Sequence, residues 1–347
     1  CGAQGRTPGR AGRRSSRARR RRVSLLPWLS AERDALNAAL TAGRLGHAPM
    51  FIGSAGVGKR ALADWLVARL LCLDVRDGEP CGACESCRLL PGGTHPDFFR
   101  LSPEPEKKEI RVDQVRAFIE SVTLTASLGG SRVGLIEPAD RMNRNAANAL
   151  LKTLEEPADG VWLVLVTDQP DRLPVTIRSR CQVRPVAVPP RELAERWLAE
   201  RHGAIDADTR SLALALADGA PRTADGWLAE QGLERGLAIR DHLGRLLQSD
   251  DGGADLPDDW AEAPAEVWPW LARWTAAWTR RARTGQADGL GPAQGPVDPA
   301  VLDRLESLWS DALRGRALAG DPVRHDWLML EWLARWRGLA GHLPVAD

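Results

Sequence analysis

The chain has 347 residues, 44% of them hydrophobic and 27% charged, with a formal net charge of +1. That length exceeds what one hydrophobic core usually serves and predicts two or three domains, while no stretch approaches the roughly 18 uncharged apolar residues of a membrane helix, so no membrane partner is expected. Nine arginines and no acid fall in residues 1–22, leaving the rest at 1 − 9 = −8, an acidic body without the basic footprint of a protein that grips DNA unaided.

In chain order, the Gly/Arg/Ser-rich segment 1–22 lacks apolar periodicity and is expected to be a disordered tail. It opens on Cys1, and we read it as translated upstream sequence ahead of a natural start at Val23. As a signal peptide the region fails, because the apolar run Val23–Leu29 is short and meets Glu32, Arg33 and Asp34 at once; a cytoplasmic location is expected. Residues 31–45 read as a helix with Ala35, Leu36, Ala39 and Leu40 on one side, followed by an apolar strand at Met50–Ile52, a Gly-rich loop and a helix from about Arg60 to Cys72. Further strands are predicted at Phe98–Leu101, Arg132–Ile136 and Val161–Val166, alternating with helices at Val112–Val122 and Asn143–Leu154. Such alternation implies an α/β domain with a parallel, helix-covered sheet.

Beyond the Pro-containing stretch Arg184–Pro190 the strand signals stop, which marks a domain boundary. Ala/Leu/Arg/Trp-rich helices follow, punctuated by Gly219–Pro221 and by loops at Ser249–Asp259 and Arg283–Pro299. Most of the 14 tryptophans lie here. Trp270, Trp274 and Trp278 recur every four residues, as do Trp332 and Trp336, so each set shares one helical stripe. A platform for single-stranded bases is one reading; core or subunit contact is the preferred one.

Gly53-Ser54-Ala55-Gly56-Val57-Gly58-Lys59-Arg60 fits every place of the phosphate-loop pattern except the last, and it stands between a strand and a helix, where that loop belongs. Gly53, Gly56 and Gly58 would let backbone N–H groups approach phosphate oxygens, and Lys59 would reach the outer phosphates. The last place calls for a Ser or Thr hydroxyl on magnesium, and Arg60 has none. After the hydrophobic strand Val133–Ile136, Glu137 stands where an Asp normally binds the metal and Pro138 where a catalytic Glu would follow. Phosphoryl transfer needs a held metal and a positioned water, so binding of ATP by this chain itself is doubtful and its hydrolysis is not expected.

Cys72, Cys81, Cys84 and Cys87 give C-x8-C-x2-C-x2-C. Four thiolates so spaced close around one tetrahedral Zn²⁺ with no open position, which makes the site structural. Disulfides are disfavoured in a reducing compartment. His95, though near in sequence, is not counted as a ligand.

From Asn145 to Cys181 the chain reads NAANALLKTLEEPADGVWLVLVTDQPDRLPVTIRSRC. With its helix Ala149–Pro157, its strand ending at Thr167 and its Ser179-Arg180-Cys181, this resembles the bacterial clamp-loader family of AAA+ ATPases from Leu25 to about Ala224. The resemblance implies that Thr167 is the sensor 1 residue, that Arg180 is an arginine finger reaching the ATP of a neighbouring subunit, and, more weakly, that Arg222 of Gly219–Arg222 is a sensor 2 residue. The zinc insertion is shared by several subunits of that family. An intact finger beside a degenerate phosphate loop implies an ATPase-deficient subunit of the DNA polymerase III holoenzyme, a DNA-directed DNA polymerase assembly. It would load the sliding clamp onto primed DNA with gamma/tau and delta subunits, the neighbours holding ATP and Mg²⁺. The implied layout is a RecA-like domain over 23–185 with a zinc module at 72–95, a helical lid over 186–230 and an all-α collar over 231–347. An ATP-hydrolysing subunit that tolerates Arg60, and a zinc-dependent nucleic-acid binder outside clamp loading, are the rival readings.

Overall fold

Near-continuous apolar runs suit strands covered on both faces, and these form the centre of the sheet. The computed structural model describes residues 25–105, 107–230, 232–248, 255–284 and 298–343; the Arg-rich segment and the start expected at Val23 lie outside them. The chain divides into two units, one of residues up to Ile52 with Arg60–Arg184, the other of Gly53–Lys59 with Pro185 onward.

In the first unit α1 (Ser30–Thr41) leads to β1 (Pro49–Ile52), and α2 (Lys59–Leu71) follows the glycine loop. Next come α3 (Glu85–Leu89), β2 (Phe98–Leu101), α4 (Val112–Val122), β3 (Arg132–Ile136), α5 (Arg144–Glu155), β4 (Val161–Thr167), α6 (Val175–Arg178) and β5 (Gln182–Pro185). The sheet order is β2-β3-β4-β1-β5, with parallel pairing along β2-β3, β3-β4 and β4-β1. Every residue of β3 is buried. Gly134 leaves room for α4, because a Cβ there would collide with the Phe118 ring and lie 3.1 Å from Val122 Cγ2. Asn143 starts α5 by accepting from the Ala146 N–H at 2.9 Å, satisfying a first-turn donor. The short edge strand β5 escaped the sequence pattern, since Gln182, Val183, Arg184 and Pro185 are exposed or only half-buried and carry no hydrophobic run; Gln182 N–H nonetheless donates to Ala48 O at 2.8 Å.

The second unit is helical: α7 (Arg191–Arg201), α8 (Ala207–Leu216), α9 (Pro221–Ala229), α10 (Gly232–Gln248), α11 (Asp258–Glu262), α12 (Pro264–Thr284), α13 (Pro299–Leu318) and α14 (His325–Arg337). Both tryptophan stripes are core. Trp270, Trp274, Trp278, Trp332 and Trp336 are each no more than 6% exposed. Trp336 stacks on Trp278 at 4.3 Å and on Trp332 at 5.4 Å between ring centroids. Three of the buried indole N–H groups find backbone acceptors, Trp274 on Gly236 O, Trp332 on Leu308 O and Trp336 on Leu243 O, as buried indoles usually do, while Nε1 of Trp278 is buried without a hydrogen-bond partner among the described residues. Stacked bases need open ring faces, and these faces are covered by protein. None of the described helices is long and apolar enough to cross a membrane.

Trp336→Ala should lower the unfolding free energy by about 3–5 kcal/mol, the usual cost of emptying an aromatic core position. Trp327, 65% exposed, should tolerate the same change to within about 0.5 kcal/mol. Denaturant titration followed by far-ultraviolet circular dichroism checks both, and equal losses would show that the stripe is not core.

Candidate functional site

Parallel pairing places Ile52 opposite Thr167 and Leu101 opposite Ile136. The carboxyl ends of β1, β3 and β4 therefore share one edge of the sheet, from which the glycine loop, Glu137 and Thr167 emerge. That edge is where open α/β sheets bind ligands.

The loop Gly53–Lys59 is satisfied from within its own unit. Lys59 is 4% exposed, and its ammonium donates to Gly53 O at 2.9 Å and Ser54 O at 2.6 Å. The start of α9 caps the turn: Arg222 N–H donates to Gly56 O at 3.1 Å, and Thr223 Oγ1 donates to Ala55 O at 3.4 Å. Gly56 sits at φ +80°, where a Cβ would stand 2.8 Å from Thr223 N; only glycine fits the backbone shape and the close approach. Gly53 likewise has φ +146°, and Gly58 leads directly into α2. Arg222 is thus brought to the loop, but through its amide, its side chain being exposed. Thr223 was not singled out from sequence, because nothing in a lone threonine after Pro-Arg points 168 residues back.

Arg60, the anomalous place of the phosphate-loop pattern, meets Glu137, the residue that stands after β3 where an Asp is expected. Arg60 Nε lies 3.5 Å from Glu137 Oε2 and 3.9 Å from Asp64 Oδ2. Arg100 bridges the same carboxylates, 2.8 Å from Glu137 Oε2 and 2.5 Å from Asp64 Oδ1. Burial pushes the Glu137 carboxyl above its usual range, with Arg60 and Arg100 pulling it back. At this strand end two guanidinium groups stand against two carboxylates. Thr167, fully buried, donates from its hydroxyl to Asp140 Oδ1 at 2.6 Å and accepts the Gln169 N–H at 3.0 Å.

The four cysteines converge although they span 16 positions of the chain: the sulfurs of Cys72, Cys81, Cys84 and Cys87 all lie within 4.8 Å of one another, a set able to hold a metal ion. Cys72 follows α2, and the chain returns through a hairpin in which Arg76 and Glu79 pair across Asp77 (φ +50°) and Gly78 (φ +77°), a left-handed pair suited to a two-residue turn. Trp65 Nε1 donates to Glu79 at 2.9 Å and Arg69 Nε to Gly78 O at 3.1 Å, pinning the hairpin to α2. Backbone N–H groups face the sulfurs: Cys81 N on Cys72 Sγ at 3.2 Å, Cys84 N on Cys81 Sγ at 3.2 Å and Cys87 N on Cys84 Sγ at 3.5 Å. The N–H groups of Ala83 and Cys84 pull the Cys81 thiol down to about 6, while burial pushes Cys72 and Cys87 up. His95 is outside this set; its ring bonds Ser86 Oγ at 2.8 Å and accepts the Asp97 N–H at 3.0 Å, tying the module to the entry of β2.

Ser179, Arg180 and Cys181 follow α6. Arg180 is held by Glu155, with Nε 2.6 Å and Nη2 2.5 Å from Oε1, and by Thr176 O, 3.0 Å from Nη1, yet its side chain stays 35% exposed. Ser179 Oγ donates to Thr176 O at 3.3 Å. Cys181 packs against the sheet core, and burial pushes its thiol up to about 12, so it is protonated and inert at neutral pH.

A family model described as "DNA polymerase III, delta subunit" matches residues 30–189, the span that holds the sheet, the cysteine module and Arg180. The chain is 41% identical over 248 residues to the DNA polymerase III subunit delta' of Pseudomonas aeruginosa, covering 71% of this chain and 76% of that protein. It is 39% identical over 218 residues to the subunit of the same name in Escherichia coli, covering 61% and 65%. The tau subunit of Escherichia coli is 34% identical over 247 residues, covering 67% of this chain and 37% of that one. The chain belongs to the DNA polymerase III subunit delta' family.

Gly56→Ala should cost about 1–3 kcal/mol in stability, because it forces a side chain into a strained left-handed position and against Thr223. Gly43, also at positive φ but with open space where its Cβ would stand, bears the strain alone and should lose less when changed to Ala. Thermal unfolding of the two variants side by side checks the difference.

Proposed function

We propose that this chain is an ATPase-deficient clamp-loader subunit that supplies Arg180 in trans to the ATP site of a neighbouring subunit and helps load the sliding clamp onto primed DNA. The gamma/tau and delta subunits would be its partners, 186–230 its lid, 231–347 the collar through which it assembles, and the cytoplasm its location. The observation that carries the reading is the contrast between two ends of one sheet unit. Arg60 answers Glu137 where magnesium would otherwise be held, whereas Arg180 remains partly open to solvent. Phosphoryl transfer needs a metal ligand and a group that positions water, and neither Arg60 nor Pro138 provides one. Thr167 and Arg222 stand at the family's sensor positions without a nucleotide of their own to sense.

The cysteine module fits zinc in its donor chemistry, four sulfurs and no oxygen. Tetrahedral Zn–S bonds of about 2.3 Å set neighbouring sulfurs a little under 4 Å apart, and Cys72 and Cys84 already stand at 4.0 Å. Bound there, the ion would add folding energy and offer no coordination position to substrate. Purified under reducing conditions, the protein should carry one zinc per chain, and Cys84→Ser should lose it with a fall in melting temperature. Elemental analysis showing iron, copper or no metal would exclude this assignment.

Arg180→Ala should leave folding and metal content intact while reducing DNA-stimulated ATP hydrolysis when the complex is reconstituted. Arginine fingers contribute about 10³–10⁵ in rate at a site that depends on one; because other ATP sites would continue, the loss in total turnover is partial and the loss in clamp loading larger. Arg180→Lys should rescue poorly, since a point charge cannot reproduce the planar fork. The isolated chain should turn over no ATP in the same assay. Unchanged turnover and loading in both variants would falsify the finger role, and robust hydrolysis by the isolated chain, abolished by Lys59→Ala, would favour a hydrolysing subunit instead.

A further inference from the structure

We propose that Glu155 is a positioning residue for Arg180, holding the guanidinium in the resting chain at the orientation from which it meets a phosphate borne by another subunit. The inference rests on the trans role of Arg180 given above. A guanidinium has five N–H donors in a fixed plane. Nε and Nη2 both approach the one oxygen Glu155 Oε1, and Nη1 donates to Thr176 O. The hydrogen bonds employ one N–H each on Nε and Nη1, with Nη2 beside the same carboxylate oxygen, so the fork formed by Nη1 and Nη2 keeps N–H groups for an incoming oxyanion. Two anchors on two sides of a planar group fix its tilt as well as its place, which a single ion pair would not do.

The placement of Glu155 supports this role over simple stability. It is the last residue of α5, where the helix dipole disfavours a carboxylate, so a nearby cation is what makes the position tolerable. With side-chain exposures of 35% for Arg180 and 47% for Glu155, the pair is screened and contributes little to folding. Its consequence lies in orientation.

The test uses the reconstituted complex, varying ATP and comparing wild type, Arg180→Ala, Glu155→Ala, Glu155→Gln and the Arg180→Ala/Glu155→Ala double variant. The share of turnover that depends on Arg180 is the difference between wild type and Arg180→Ala. Glu155→Ala should lower that share about two- to fivefold, the factor to which the orientation supplied by an exposed ion pair converts, through kcat with KM for ATP unchanged. Glu155→Gln, which retains an acceptor oxygen, should recover most of it, and the double variant should match Arg180→Ala. In the isolated chain, the Arg180 Nε–H resonance should lose its protection from solvent exchange in Glu155→Ala. A Glu155→Ala complex equal to wild type beside an impaired Arg180→Ala complex overturns the proposal and leaves the finger standing. Higher turnover in Glu155→Ala overturns it too, by making Glu155 a restraint that must let go. Both variants matching wild type removes the finger and this proposal together, and an Arg180 resonance indifferent to Glu155 removes the positioning alone.

Discussion

The carboxyl edge of a parallel sheet governs the rest of the first unit. Because Ile52 is held opposite Thr167 and Leu101 opposite Ile136, segments 115 and 35 residues apart in the chain must end side by side. The central strands β3 and β4 are buried and apolar almost throughout, so a slip in register would carry hydrophobic side chains out of the core. Register is therefore strongly specified. Glu137, one residue past β3, and Thr167, the last residue of β4, take their places as a consequence. Polar chemistry at this edge is positioned by apolar packing behind it.

What occupies that edge is a set of mutual satisfactions. Buried or half-buried charge is tolerated when paired, and Glu137, raised by burial, has Arg60 and Arg100 beside it. Lys59 likewise spends its ammonium on carbonyls of its own loop, and Thr167 gives its hydroxyl to Asp140. The partners of all these groups are protein atoms. Substitution at position 60 and at position 137 is coherent as a pair, since a guanidinium at the first without a carboxylate at the second would lose its nearest counter-charge at the strand end.

The cysteine module follows a similar economy of position. A hairpin turning on Asp77 and Gly78 brings Cys81, Cys84 and Cys87 back to Cys72 at the end of α2, and Trp65, Arg69 and His95 fasten its outer parts to the sheet unit. The insertion is braced at both ends independently of the four sulfurs, which limits how far local disorder could spread into α2 or β2. Arg180 lies on another part of the same unit, and its environment differs in kind. Where Glu137 is 16% exposed, the Arg180 pair is open to solvent.

The sequence alone determined whatever depends on local periodicity and spacing. Alternating strands and helices placed β1 to β4 and α2, α4 and α5 within a residue or two, since buried parallel strands and amphipathic helices each leave a repeat that neighbours in sequence reveal. The glycine loop with Arg60 in its last place and the cysteine spacing were legible for the same reason, whereas Ser179-Arg180-Cys181 stood out only through the resemblance to the clamp-loader family. Edge strand β5 was not, because half-exposed polar residues leave no pattern. Nor could spacing show that Arg60 faces Glu137, that Glu155 holds Arg180, that Thr223 closes on Gly56, or that the tryptophan stripes are covered core and not open platform. Those are contacts across 77, 25, 167 and up to 93 residues. Such pairs are chosen by how the sheet and helices pack in three dimensions, and a charge or an aromatic ring carries no local mark of the partner it will meet.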